Sequence, residues 1–326
     1  MLVIDGAQLE GGGQIVRMAV SLSALTGTPV QIHHIRAGRD PSGLAAQHVA
    51  AVRAVSSVCA AHTTGVSVGS SVLTFAPSSL RRSDTTIDVG TAGSIPLVLQ
   101  AWLPAALQKG GSITVRGGTE VRHSPTIDYV ERVFLPPLRS HGARVEVSIL
   151  QRGYYPRGGG VVRVNVEPSL LAPLHLRDEG TGSGIISCSS NLPDHVTERQ
   201  GEAARKRLSE ALGIDPPLFL DVRTGPSTGS SCTVWTGMKG GIALGKRGLP
   251  AEKVGVQAAD ALIEAIAEGG MVDRHLADQL LVYLAKYGGS YTVSDLTLHA
   301  RTMHWLLSEF GYQILMNEGE MVEVSA

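Results

Sequence analysis

Cysteine is scarce in this 326-residue chain: Cys59, Cys188 and Cys232 lie far apart, lack the spacing of metal ligands and form an odd set. Neither a disulfide framework nor a zinc site follows from them, and buried free thiols are the expectation. No opening run joins a basic segment to an apolar one as a secretory signal does, and no window holds the roughly 18 uninterrupted apolar residues of a membrane span. The chain therefore reads as cytoplasmic, with no membrane partner. Charged residues make up 17% and the formal net charge is −1. Without a broad excess of Lys and Arg the protein cannot coat long stretches of nucleic acid, so a polynucleotide partner has to be held locally. The 11 histidines contain no HExxH, which removes the common zinc-hydrolase reading. A Walker A loop is missing too, since Gly245-Lys246-Arg247-Gly248 has no following Ser or Thr.

What the chain does have is glycine, 39 residues of it, and alternating apolar patterns. These suit an α/β protein with many strand-to-helix turns, and the length allows one large domain or two ordinary ones. A pattern of helix, Gly or Thr stop and two short strands recurs: a helix over 43–62 with strands over 65–68 and 72–75, a helix over 125–141 with strands over 144–150 and 161–166, and a helix over 299–310 with strands over 312–316 and 321–324. The helical runs space apolar residues by three and four and the strands alternate them, so each unit leaves faces for its neighbours to cover. The fold class expected is α/β (α+β), with three repeated helix-on-sheet units sharing a core. Between the second and third copies the rhythm breaks. A Gly/Ser stretch (180–184), a charged helix (194–212), apolar strands (218–222 and 233–236) and a second helix (251–268) predict a small inserted α/β domain. The chain then divides into a large domain, 1–176 with 271–326, and an insertion, 177–270, whose helices show only ordinary solvated faces.

Glu10-Gly11-Gly12-Gly13-Gln14 lies between a short apolar strand and an apolar helical run. Glycines there let backbone N–H groups approach a phosphate at a helix N-terminus, although plain tight turns use the same residues. A carboxylate beside a phosphate cradle repels the anion unless a divalent cation, Mg²⁺ or Mn²⁺, lies between them, which gives Glu10 a candidate metal role. Arg36 and Arg39 sit in a Gly/Pro-containing loop, with Arg17 close in sequence; guanidinium forks there suit a terminal phosphate, or form a solvated surface pair. Gln47 can reach the same place. A second Gly-rich helix start, Gly90-Thr91-Ala92-Gly93-Ser94, leads to Gln100. His299 stands where a loop turns into the last helix, and a neutral imidazole at such an edge is a competent nucleophile or simply a structural residue.

Several of these stretches occur together and in order: residues 5–17 around the three glycines, Ile35-Arg36-Ala37-Gly38-Arg39, Gly93-Ser94, Leu97-Val98-Leu99-Gln100, residues 152–160 and Leu276-Ala277-Asp278-Gln279-Leu280. Almost end to end, the chain resembles the RNA 3′-terminal phosphate cyclases. The resemblance implies three units similar to the C-terminal domain of translation initiation factor 3, with a smaller α/β domain inserted before the last. It also implies ATP-dependent conversion of an RNA 3′-phosphate end to a 2′,3′-cyclic phosphate through histidine-AMP and RNA-adenylate intermediates, an AMP-forming ligase reaction. His299 matches the nucleophile and Glu10 the metal-binding carboxylate. Gln100, Pro125, His275, Asp278 and Gln279 match the ATP site, and Arg17, Arg36, Arg39 and Gln47 the RNA-phosphate set. His275 is a departure, since many members carry Tyr there, a larger ring for stacking on adenine. Relatives of a different class serve ribosome assembly without catalysis, but lack the nucleophilic histidine and parts of the phosphate set. Enolpyruvyl transferases, built from similar repeats, need another constellation. An exposed sheet edge in the C-terminal unit leaves room for a homodimer.

Overall fold

The computed structural model describes residues 1–177 and 182–326, so residues 180 and 181 of the expected Gly/Ser stretch lie outside the described part. The first unit runs β1 (Leu2–Asp5), α1 (Gly13–Thr26), β2 (Val30–His33), α2 (Ala46–Cys59), β3 (His62–Thr64) and β4 (Leu73–Ala76). A helical crossover makes β1 and β2 parallel, whereas the tighter returns leave β4 antiparallel to both β2 and β3. The second unit repeats this with β5 (Ser83–Asp88), α3 (Ile95–Lys109), β6 (Gly111–Gly117), a helix in three pieces, β7 (Val145–Gln151) and β8 (Gly160–Val166). The pieces are α4 (Ile127–Tyr129), a π turn (Val130–Phe134) and α5 (Leu135–Ser140). Pro136 and Pro137 lack N–H groups and crowd the preceding turn, and the chain widens so that the Leu135 N–H reaches back to the Val130 carbonyl.

The third unit opens with the two-residue strand β9 (Leu174–His175) and is then interrupted. The interruption comprises β10 (Ser183–Ser190), α6 (Asp194–Leu212), β11 (Leu218–Arg223), β12 (Gly229–Thr236), β13 (Lys239–Leu244) and α7 (Ala251–Ala267). The unit resumes with α8 (Arg274–Tyr287), β14 (Gly289–Val293), α9 (Leu298–Glu309), β15 (Leu315–Glu318) and β16 (Val322–Ser325). Its strand order, β9-β14-β16-β15, matches β1-β2-β4-β3 and β5-β6-β8-β7. The repeat is therefore β-α-β-α-β-β, and the inserted elements fall inside the third copy, after its first strand, not between copies. Both ends of the interruption are pinned on one strand: Leu176 N–H donates to Ser290 O at 3.0 Å and Met271 N–H to Thr292 O at 2.8 Å.

The inserted sheet has the order β11-β10-β12-β13. On one side Ile185, Cys232, Val234, Ala258 and Leu262 form a separate core with α6 and α7, while Ile186, Cys188 and Trp235 join the core of the three units. Covered on both faces, β10 buries Ser187, Ser189 and Ser190. Its serines hid it from a reading based on apolar alternation. Two of them are satisfied internally: Ser187 Oγ donates to Thr197 O at 2.7 Å and accepts from Gln200 Nε2 at 3.0 Å, and Ser189 Oγ accepts from Thr197 Oγ1 at 2.6 Å, while Ser190 Oγ has no partner. Local boundaries move as well. Residues 65–68 form a turn between glycines with φ of 74° at Gly65 and 85° at Gly69, so the strand expected there lies upstream at β3. The last hairpin begins at Leu315 and not at 312. α2 starts at Ala46, making Gln47 its second residue. All three cysteines are free and buried, as expected. Among the described residues no helix is long and apolar enough to cross a membrane.

Candidate active site

Helices of all three units pack on one another, α1 against α3 and α9, and α8 against α3 and α9. Gln14, His275 and His299 are each the second residue of their helix, α1, α8 and α9 respectively, and Leu97 is the third of α3. These first turns border a cavity of about 570 Å³. Aligned peptide dipoles give such a place a positive potential suited to phosphate. Of the residues expected from the sequence, the cavity gathers Arg17, Gln100, Pro125, His275, Asp278, Gln279 and His299. Gln100 Nε2 donates to Gln279 Oε1 at 2.7 Å, and Gln279 Nε2 donates to His275 O at 2.7 Å, so this polar edge is held as a chain.

Thr297 caps α9, its hydroxyl accepting from Ala300 N–H at 3.0 Å, and this fixes the turn that presents His299. The ring is exposed, and its Nδ1 lies 3.0 Å from Gln14 Oε1. An amide oxygen can only accept, so this bond places the proton on Nδ1 and leaves the lone pair on Nε2. Loss of water around the ring lowers its pKa; Glu10 opposes that, while Arg17, His275 and Arg39 add to it. His304 turns elsewhere, with Nε2 3.1 Å from Ile314 O.

The glycine turn is shaped by two side chains that fold onto it. A Cβ on Gly12 would lie 1.9 Å from Glu10 Oε2, and one on Gly13 would lie 1.9 Å from His48 Nε2; Gly11 has a φ of 60°. The glycines therefore make room for Glu10 and His48 as well as turning the chain. Glu10 Oε1 accepts from Arg39, whose Nη2 also reaches Glu10 O at 3.2 Å, while Glu10 Oε2 is buried without a partner. Arg17 is buried, its Nε unpartnered. Burial lowers its pKa to about 10 against the pull of Glu10 and Asp278. Burial raises the Asp278 carboxyl to about 7, assisted by Asp273 and opposed by Arg17. Glu10, Arg36, Arg39 and Gln47 do not line the cavity: Glu10 and Arg39 pair with each other, Arg36 Nη1 donates to Gly43 O at 2.9 Å, and Gln47 Oε1 accepts from Ser94 N–H at 3.0 Å.

Several residues of the site escaped sequence reasoning. Gln14 stood inside the glycine motif, and only its contact with His299 across two helices reveals a role. His48 is buried next to Arg17 and Arg36, and burial chiefly, then those two charges, lowers its pKa to about 3. The far wall of the cavity comes from the inserted elements through Gly240, Gly241 and Ile242 of β13 and Ala261, Glu264 and Ala265 of α7. No motif marks these residues.

A family model described as RNA 3′-terminal phosphate cyclase matches residues 8–314. Curated relatives carrying that same description include one from Thermococcus onnurineus, 44% identical over 99% of this chain and 97% of its own length. One from Methanosarcina mazei is 44% identical over 100% and 99%, and one from Archaeoglobus fulgidus is 41% identical over 99% of each.

Proposed function

The chain belongs to the RNA 3′-terminal phosphate cyclase family, and from that premise we propose that it converts RNA 3′-phosphate ends to 2′,3′-cyclic phosphates with ATP, through AMP carried on His299. The observation that supports this most directly is the Gln14 bond: it leaves Nε2 of an imidazole beside Arg17 and four helix N-terminal turns as a lone-pair donor. Nε2 attacks the α-phosphorus of ATP; an N–P bond forms, the P–O bond to pyrophosphate breaks, and Gln14 Oε1 stabilises the positive ring. An oxygen of the RNA 3′-phosphate then attacks the phosphorus of the histidine adduct, the N–P bond breaks and neutral His299 returns. Finally the neighbouring 2′-OH attacks the activated 3′-phosphorus, giving up its proton as AMP leaves. A phosphate monoester dianion has no good leaving group, whereas the diphosphate expels AMP, and the 2′-oxygen is already in place.

In this reading Gln100, Pro125, His275, Asp278 and Gln279 line the nucleotide, and Arg17, Arg36, Arg39 and Gln47 hold the RNA phosphate. Residues 177–270 act as an inserted domain. Among the described residues no cluster of three or more acidic, His or Cys side chains exists to hold a metal by protein ligands alone. Glu10 Oε2, buried and unpartnered, fits a cation completed by phosphate oxygens and water. A cation bound there supplies charge neutralisation to the phosphates.

Incubation with α-labelled ATP is expected to give an acid-labile, alkali-stable protein-AMP bond that His299→Ala abolishes. The same variant is expected to retain some cyclisation of a pre-adenylylated RNA end. Protein-AMP surviving in His299→Ala would overturn the assignment, and its absence from the parent chain would favour a non-catalytic RNA-binding role.

A further inference from the structure

The inserted elements meet the first turn of α8 at one buried carboxylate. Asp273 is 3% exposed, and donors from three parts of the molecule surround it. Its Oδ1 caps α8 by accepting from His275 and Leu276 N–H groups, each at 2.8 Å. Its Oδ2 accepts from Gly240 N–H of the inserted sheet at 2.9 Å. The hydroxyl of Tyr129, from α4 of the second unit, lies 2.8 Å from both oxygens. The contact needs glycine on the inserted side, because a Cβ on Gly240 would stand 2.8 Å from the Tyr129 ring. A further tie, Lys239 Nζ to Ala265 O at 3.0 Å and Gly269 O at 2.7 Å, joins β13 to the end of α7.

We propose that the inserted domain is a fixed wall of the nucleotide cavity and that Asp273 is the positioning residue that holds this wall, the second unit and α8 in register. This rests on reading the cavity as the ATP site. His275, Asp278 and Gln279 reach the cavity only as the first turn of α8 allows, and that turn has the same carboxylate as its cap and as its link to the facing wall. Gly240 and Ala261 line the same cavity as His299, so a nucleotide with its α-phosphorus at His299 shares that space with them. A carboxylate that accepts from every donor around it leaves little freedom for the wall to shift.

The test separates ATP from RNA. In Asp273→Asn the amide NH₂ of Asn faces donors where a carboxylate oxygen was, and Tyr129→Phe removes a single hydroxyl. Both are expected to raise the KM for ATP in protein-AMP formation several-fold to tenfold, with kcat at saturating ATP and the Kd for a 3′-phosphorylated oligoribonucleotide within twofold of the parent chain. Ala261→Trp, a change on the half-buried cavity face of α7, guards against misfolding. It is expected to weaken binding of a fluorescent ATP analogue at least tenfold with an unchanged melting temperature. Unchanged nucleotide affinity in folded Ala261→Trp, or equal losses of ATP and RNA binding in the Asp273 and Tyr129 variants, would overturn the proposal. Failure of the parent chain to bind any nucleotide would instead overturn the reading of the cavity.

Discussion

At the scale of single residues, Gln14 and His299 act as a pair. Because partial loss of water around the exposed ring, with Arg17, His275 and Arg39, depresses the imidazole pKa against the pull of Glu10, the ring stays neutral as pH falls through the ordinary histidine value near 6.5. Protein-AMP formation should therefore persist below pH 6.5 and be lost only as pH passes through the lower value of the site. Gln14→Glu sets a carboxylate against Nδ1 and favours the charged ring, so the acid limb of the pH-rate profile should move upward; an unmoved limb would show that another group titrates. Sequence motifs and the family resemblance marked His299, Arg17 and Asp278 as candidates, and the fold brings all three to one cavity. They could not identify Gln14 as a partner of His299, since 285 positions separate the two and only the fold joins them.

Among the elements, the glycine turn and α2 depend on each other. His48 Nδ1 accepts from Ala45 N–H at 3.0 Å, so the proton of the neutral ring sits on Nε2, over Gly13. The imidazole is enclosed and cannot retreat. Gly13→Ala should displace it and destabilise the protein by about 1–3 kcal/mol, the usual cost of overpacking, measurable in urea unfolding. Gly13→Ala paired with His48→Ala should recover part of the loss, and no recovery would mean that the glycine serves backbone conformation alone. Long periodic helices such as α6 were legible to the residue, because apolar spacing and a Gly213 stop define them. β5, with the sequence SDTTID, and the two-residue β9 were not, since each lacks an apolar run and gains its place only by pairing with β6 or β14.

Across the whole molecule, the second unit and the inserted sheet share a buried ionic node. Arg152, 2% exposed, bonds Glu120 Oε1 at 2.7 Å, Asp128 through contacts of 2.7 and 3.1 Å, and Asp221 Oδ2 of β11 at 2.9 Å. Burial raises the Glu120 pKa well above the carboxylate range despite this cation. Arg152→Met would leave Glu120 and Asp128 without their cation in the interior, while Asp221 keeps Arg223 at 2.7 Å, and should cost about 3–5 kcal/mol at neutral pH. The loss should shrink at acid pH, where the carboxyls take up protons; a loss independent of pH would point to packing instead. Three repeats were visible in the sequence as helices followed by hairpins, but the node and the cavity wall were not, because both are made of residues whose partners lie in another module.

Both junctions of the insertion rest on β14, at Ser290 and Thr292, and this sets an order on synthesis. A chain made from its N-terminus can finish the first two units once β8 has emerged, yet β9 then waits without a partner until the segment from Gly289 onward is made. A long loop costs closure entropy that grows only logarithmically with its length, and a loop that has already folded brings its own ends together. The insertion, once folded, brings the two ends of the third unit together, and the cavity, which needs α8 and α9, is complete only when the C-terminal segment has been made.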